Sequence, residues 1–161
     1  PLIRERLDQI IHRAQSHGIV NRFCVIRRCD HDDIRVHTFR TKLHCRMQTA
    51  QMTVLVREDN FSTLTAIPLA ADKNSRLAVA EYLTRVNFNM RNGNFELDME
   101  TGEIRFKTYV HVGGGRPDRG ATRLAVMLPF LMLDRFGDGL LEVLFGFKSP
   151  REAFESVQRT R

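Results

Sequence analysis

The stretch that decides the fold runs from Asn94 to Val112: Asn94-Phe95-Glu96-Leu97-Asp98-Met99-Glu100-Thr101-Gly102-Glu103-Ile104-Arg105-Phe106-Lys107-Thr108-Tyr109-Val110-His111-Val112. Apolar and polar residues alternate on both sides of Thr101-Gly102, which is the period of a half-buried strand. Phe95, Leu97 and Met99 point one way, and Asn94, Glu96 and Asp98 the other. On the return, Ile104, Phe106, Thr108 and Val110 share a face, with Arg105, Lys107 and Tyr109 opposite. If Thr101 and Gly102 form the loop, Asp98 faces Arg105 and Glu96 faces Lys107. Opposite charges then meet in water while apolar residues meet in the core. A hairpin with one wet face belongs to an antiparallel sheet covered on its other face. The expected class is therefore α+β, an antiparallel β-sheet with helices packed on it.

The flanking sequence fits this frame. Upstream, Ala50, Met52, Val54 and Val56 alternate with polar residues, Glu58-Asp59-Asn60 is a turn, and Phe61 to Ile67 reads as the partner strand, ended by Pro68. A helix follows, capped by Asn74 or Ser75, with Leu77, Ala80, Leu83, Val86 and Met90 on one face and Gly93 just past its end. Downstream, Pro117 or Asp118 opens a helix carrying Ala121, Leu124, Ala125, Leu128, Leu131 and Met132. Pro129 should kink or split it, and Gly137 and Gly139 should end it before a short apolar segment, Leu140 to Phe147. Ser149, Pro150 and Glu152 then form a capping box for a last helix containing Ala153, Phe154 and Val157. Before residue 47 the spacing predicts an amphipathic helix from Leu2 to Ala14, stopped near Gly18. Short strands are expected at Phe23–Ile26 and Ile34–Phe39, with a turn at Asp30–Asp33 between them.

Bulk properties place these elements in one domain. The chain has 161 residues, 42% hydrophobic and 27% charged, enough to bury a core. Its expected parts are a helix and basic strands over 1–46, a core over 47–147, and a capped helix over 149–160. Three cysteines, an odd and sparse set, argue against a disulfide framework and for a reducing, cytoplasmic setting. The start is charged almost at once, without the apolar stretch of a signal peptide. The longest apolar run, Leu124 to Leu133, falls well short of the roughly 20 residues that span a bilayer.

No motif carries catalysis. Cys24, Cys29, His31, His37, His44 and Cys45 cluster in sequence, but no C-x-x-C pair occurs, and adjacent His44 and Cys45 would point to opposite faces of a strand. Cys45 beside His44 has no orienting acid, and no elbow motif surrounds a serine. Asp30, Asp32 and Asp33 lack the glycine and closing glutamate of a calcium loop. Gly113-Gly114-Gly115-Arg116 precedes a helix but lacks the Gly-Lys-Ser/Thr ending of a phosphate loop. No catalytic residue, metal or cofactor is therefore expected, and Asn87 is expected to satisfy backbone groups rather than a ligand.

The formal charge of +6 sits mostly in the first third, where residues 1–46 hold 10 Lys and Arg against 5 Asp and Glu. Arg27, Arg28, Arg35, Arg40, Lys42 and Arg46 make this segment a candidate face for an acidic protein or for nucleic acid. Arg28, Arg40, Lys42 and Arg46 share parity, so strands there would gather them in a stripe. Only Phe23 and Phe39 are placed to stack on bases.

The stretch from about 47 to 147 resembles the YbjN-like family of bacterial proteins. The likeness rests on Ala78-Val79-Ala80-Glu81-Tyr82-Leu83 leading to Asn87, on Asn92-Gly93-Asn94-Phe95-Glu96-Leu97-Asp98, and on Thr101-Gly102-Glu103-Ile104-Arg105-Phe106 with the apolar helix before Asp134. The resemblance implies a fold similar to type III secretion chaperones and a role in regulating sensory transduction, and it brings no catalytic residues. Residues 1–46 show none of it. The expected function is a non-enzymatic protein-interaction module, chaperone-like or regulatory. A homodimer is expected because apolar helix in 124–147 exceeds what one sheet face needs. A nucleic-acid-associated regulator is the alternative.

Overall fold

In a computed structural model, residues 20–31, 34–45, 48–88, 90–113 and 118–159 are described, with β1 and β2 described as backbone and register apart from Arg40. The expected N-terminal helix, the turn at Asp32–Asp33, Arg46 and the Gly114–Pro117 connection lie outside these residues. The described strands are β1 (Val20–His31), β2 (Ile34–Cys45), β3 (Gln48–Val56), β4 (Asn60–Ala70), β5 (Asn94–Leu97) and β6 (Glu103–His111). The helices are α1 (Arg76–Asn87), α2 (Arg119–Leu144) and α3 (Pro150–Arg159). The strands form one sheet in the order β1-β2-β3-β4-β6-β5, antiparallel at every step. β1 and β2 are longer than the short strands expected there, and they extend the sheet instead of forming a separate appendage.

One face of the sheet is buried. Across its rows Met52 pairs with Thr65, Thr65 with Phe106 and Phe106 with Phe95; in the next row Val54 pairs with Thr63 and Thr63 with Thr108. The α2 helix packs on β6, β4 and β2, and α1 and α3 pack against α2. The core joins these strand residues to Val79, Tyr82 and Val86 of α1, Leu133, Leu140 and Val143 of α2, and Ala153 of α3.

Five expectations are corrected. Pro68 does not end β4, which continues to Ala70. Pairing to β3 has ended at Ala66, and pairing to β6 is irregular between Ala66 and Ala70, so the missing N–H breaks no ladder bond. The hairpin loop is Asp98–Gly102, and the register sets Glu96 opposite Arg105 and Asn94 opposite Lys107. Parity is as expected, but the slip frees Asp98 to accept the backbone N–H of Glu100 at 2.8 Å and of Thr101 at 3.2 Å. Gly102, at φ +79°, takes the left-handed position that Thr101 could not.

In α1 the buried residues are Val79, Tyr82, Leu83 and Val86, whereas Leu77 is exposed. The first turn is held by Asp72, not by the side chain of Asn74 or Ser75: its carboxylate accepts from the backbone N–H of Asn74 and Ser75 and from the Ser75 hydroxyl. The capping box at Ser149 is as expected, with Glu152 accepting the Ser149 N–H at 3.0 Å and Ser149 Oγ accepting the Glu152 N–H at 3.3 Å.

The largest correction is α2, one helix through Pro129, Gly137 and Gly139 that takes in Leu140 to Leu144. Pro129 has no N–H for the carbonyl of Ala125, four residues back. The sheet supplies the missing donors: Thr108 Oγ1 lies 3.1 Å and Thr63 Oγ1 3.4 Å from the Ala125 oxygen, and the two hydroxyls are 2.7 Å apart. Gly139 sits in the helix where α1 comes close, and a Cβ there would overlap the Tyr82 hydroxyl, so the approach requires glycine. That hydroxyl donates to the Phe136 carbonyl at 2.8 Å, and burial pushes it well above the ordinary tyrosine range.

Candidate functional site

The same continuity gives α2 two faces. Thr122, Ala125, Val126, Pro129, Leu133, Phe136 and Leu140 turn inward and are buried. On the opposite side Leu124 is 44% exposed and Leu131 is 47% exposed, with Met127 and Leu128 half-buried between them. Leu124 and Leu131 are seven residues apart, about two turns, and so lie on one line along the helix. Charge is uneven along this helix. Arg119 and Arg123 occupy its first turns, and Asp134, Asp138 and Glu142 its second half. Arg135 stands among these acids, with its guanidinium 4.9 Å from the Phe136 ring centroid.

Beyond the helix, Gly146 at φ +70° reverses the chain, and its turn is fixed by N–H bonds from Phe147 and Lys148 to the Glu142 carbonyl. Phe145 and Phe147 project from this turn, 61% and 78% exposed, with ring centroids 6.1 Å apart. Lys148 is tied to Glu142 at 2.7 Å. Large apolar side chains held outside the core on fixed backbone are the kind of group that binding surfaces use.

Sequence spacing groups Leu124, Ala125, Leu128 and Leu131 together as the apolar face of this helix. The structure separates them, because Ala125 faces the sheet. The signal was present in the spacing of Thr122, Pro129, Leu133, Phe136 and Leu140, but it is legible only once the helix is known to pass through Pro129.

The candidate basic residues are distributed by the register. Arg40 pairs with Thr53 and Lys42 with Gln51, on the face of β3 opposite to buried Met52 and Val54. Arg28 pairs with His37, whose partner on β3 is buried Val56, and a β1 irregularity separates it from the Cys24–Arg40 pair. Arg28 is therefore out of phase with Arg40 and Lys42, and the common parity expected of them does not carry across the bulge. Arg35 pairs with Asp30. Arg27 lies in the irregular part of β1, and Arg46 lies outside the described residues. Two rows nonetheless link cations across the sheet. Arg40 leads through Thr53 and Leu64 to Lys107, and Lys42 leads through Gln51 and Ala66 to Arg105.

At the far end of those rows Glu96 binds both cations, Arg105 at 2.6 Å and Lys107 at 3.0 Å. Burial pushes the Glu96 carboxyl up, but hydrogen bonds from Arg105, Lys107 and Asn94 outweigh it and hold the group below the usual range. Asn87 is a structural amide, as its position suggested. It accepts the Phe95 N–H at 2.8 Å and donates to the Phe95 carbonyl at 2.9 Å, covering the outer edge of β5. Among the described residues no group of three His, Cys, Asp or Glu side chains could hold a metal ion, and no helix is long and apolar enough to cross a membrane.

The family model of YbjN, described as "Putative bacterial sensory transduction regulator", matches residues 6–142. The chain belongs to the YbjN family. The match begins far upstream of residue 47, so the YbjN unit takes in the basic first third that shows no resemblance by motif. It ends inside α2, including the Leu124–Leu131 stripe and leaving the Phe145-Gly146-Phe147 turn and α3 beyond it. The YbjN description is of a regulator and names no reaction. No curated protein and no solved structure matches the chain.

Proposed function

We propose that this YbjN protein is a non-enzymatic regulatory module of the cytoplasm, chaperone-like in its mode of action, that works by binding protein through the outer face of α2. The observation that carries this reading is the exposure of Leu124 and Leu131 on a helix whose other face is already committed to the core. An amphipathic helix satisfied on one side has no folding reason to keep two leucines in water on the other. The family's description as a regulator supports the same conclusion. The test is site-specific photo-crosslinking in the native cell from positions 124 and 131, with position 51 on the sheet as control. Discrete protein adducts at 124 and 131 but not at 51 are expected. Equal labelling at all three positions would remove the reading.

A second reading is favoured by the two cation rows, which end in Arg40 and Lys42 on one side and Arg105 and Lys107 on the other. That arrangement suits an acidic polymer laid across the exposed sheet face. It requires binding to single- or double-stranded nucleic acid that falls steeply with salt and is lost on Arg40→Glu. Salt-independent binding, or none, refutes it.

A further inference from the structure

We propose that the outer face of β6 binds a single strand of nucleic acid, with a base stacked on Tyr109 and the flanking phosphates held by Lys107, Arg105 and Arg40. The proposal rests on the reading of the sheet as a surface for an acidic polymer, and it names the polymer. Strand alternation sends Ile104, Phe106 and Thr108 into the core, so Arg105, Lys107, Tyr109 and His111 turn outward in succession. The one outward acid of β6, Glu103, lies at the far end of the strand from Tyr109. Tyr109 is 57% exposed, and His111 beyond it is exposed as well. Across the sheet from Tyr109 come Ser62 and Leu55; across from Lys107 come Leu64, Thr53 and exposed Arg40. Neither row places an acidic residue between its ends. Arg40 and Lys107 stand three strands apart, about 14 Å.

Charge complementarity sets the class of partner, and the exposed ring sets its form. Cations on an open face attract phosphate. A duplex keeps its bases stacked inside and offers a broad sheet only its phosphates, which leaves Tyr109 with no base to meet. A single strand can turn a base out onto the tyrosine while its backbone follows the cations. An acidic peptide would use the same cations but needs no exposed aromatic ring. Glu96 belongs to the same surface. Its carboxylate lies 2.6 Å from Arg105 and 3.0 Å from Lys107, and so takes the place that a phosphate would occupy. A bound strand must draw both cations away from Glu96, so this carboxylate holds the affinity down. Removing its charge should tighten binding, an outcome that damage to the fold would not produce.

The experiment is fluorescence anisotropy of the full chain with labelled oligonucleotides of about 12 nucleotides. The probes are single-stranded DNA, single-stranded RNA and the duplex of the same sequence, each over a salt series, with polyglutamate as a competitor and thermal unfolding of each variant as a folding control. Single strands should bind more tightly than the duplex. Their log affinity should fall against log salt with a slope of about −2, from roughly three phosphates at about −0.7 each. Tyr109→Ala should weaken single-strand binding about tenfold and keep that slope, whereas Tyr109→Phe should bind as the wild type does. Lys107→Ala should reduce the slope by about 0.7. Glu96→Gln should bind about fivefold more tightly, since two exposed ion pairs no longer have to be broken. A duplex bound as tightly as the single strand, or binding untouched by Tyr109→Ala, overturns the single-strand inference and leaves the acidic-polymer reading standing. Displacement by polyglutamate at equal charge concentration gives the face to an acidic protein and likewise overturns the inference. Glu96→Gln no tighter than the wild type overturns the part given to Glu96. No salt-dependent binding to any probe removes both readings.

Discussion

Thr108→Val removes a hydroxyl and keeps the shape of the side chain, and its effect should depend on Pro129. The proline leaves the Ala125 carbonyl without its helical donor, and Thr108 supplies the replacement at 3.1 Å, backed by Thr63 at 2.7 Å from Thr108. All three groups are buried. Orphaning one buried carbonyl costs about 1–3 kcal/mol, and Thr63 at 3.4 Å is too far to replace the bond fully. We expect Thr108→Val to lose about 2 kcal/mol, a fall of roughly 4–8 °C in the unfolding midpoint of a protein this size. Thr63→Val should cost less, because Thr108 can still donate to the carbonyl. In a Pro129→Ala background the backbone N–H gained at position 129 restores the helical bond to Ala125. There Thr108→Val should cost less than half as much, a coupling of about 1 kcal/mol or more. Urea unfolding with a constant slope against denaturant measures all four proteins of the cycle. Equal costs of Thr108→Val in the two backgrounds would refute the account of how α2 survives its proline.

Further outcomes test other parts of the fold. Gly102→Ala should destabilise by about 3 kcal/mol, because a Cβ would overlap the Ala71 carbonyl oxygen at φ +79°. Gly146→Ala, at φ +70° with open space around it, should cost only about 1 kcal/mol in the same unfolding assay. Thr65 is buried with no partner for its hydroxyl among the described residues, so Thr65→Val should stabilise the protein by about 1 kcal/mol, and a loss of stability would show that the hydroxyl has a donor or acceptor role. Acid should weaken the fold. The carboxyls of Asp72, Glu96, Asp98 and Glu152 are held below their ordinary values in the folded state. Their contribution is complete above the unfolded values of about 4 and is lost as pH falls through the folded ones. The urea midpoint should therefore drop below about pH 4, and less steeply in Glu96→Gln; a midpoint that holds to pH 3 contradicts the assignment.

What the sequence disclosed and what it hid divide along physical lines. The period-2 segments and the Ser149 capping box depend on neighbours within a few residues, so their signals are complete in the chain itself. The facing residues of the 94–111 hairpin were legible for the same reason. Its register was not, because it is set by Asp98 turning onto its own loop and by Gly102 meeting the Ala71 N–H and carbonyl, a contact made across a long stretch of chain. The course of α2 was hidden for a stronger version of that reason. Pro129, Gly137 and Gly139 are breakers in isolation, and what surrounds each is distant in sequence: two threonine hydroxyls on β4 and β6 replace the donor lost at Pro129, Gly137 is buried in the core, and Gly139 leaves the room that Tyr82 occupies. The candidate site inherits that dependence. Had α2 split at Pro129, Leu124 and Leu131 would belong to different helices and make no stripe. The exposed surface of this YbjN protein therefore rests on the buried one, since the threonines that replace a missing N–H keep the two leucines in line. Weakening that support should loosen the outer face before it unfolds the core. In Thr63→Val/Thr108→Val, amide exchange should accelerate first around Ala125 to Leu131, while Ile104, Phe106 and Val79 keep their protection. Uniform acceleration across the chain would mean that α2 and the sheet open as one unit and that the stripe has no separate stability to lose.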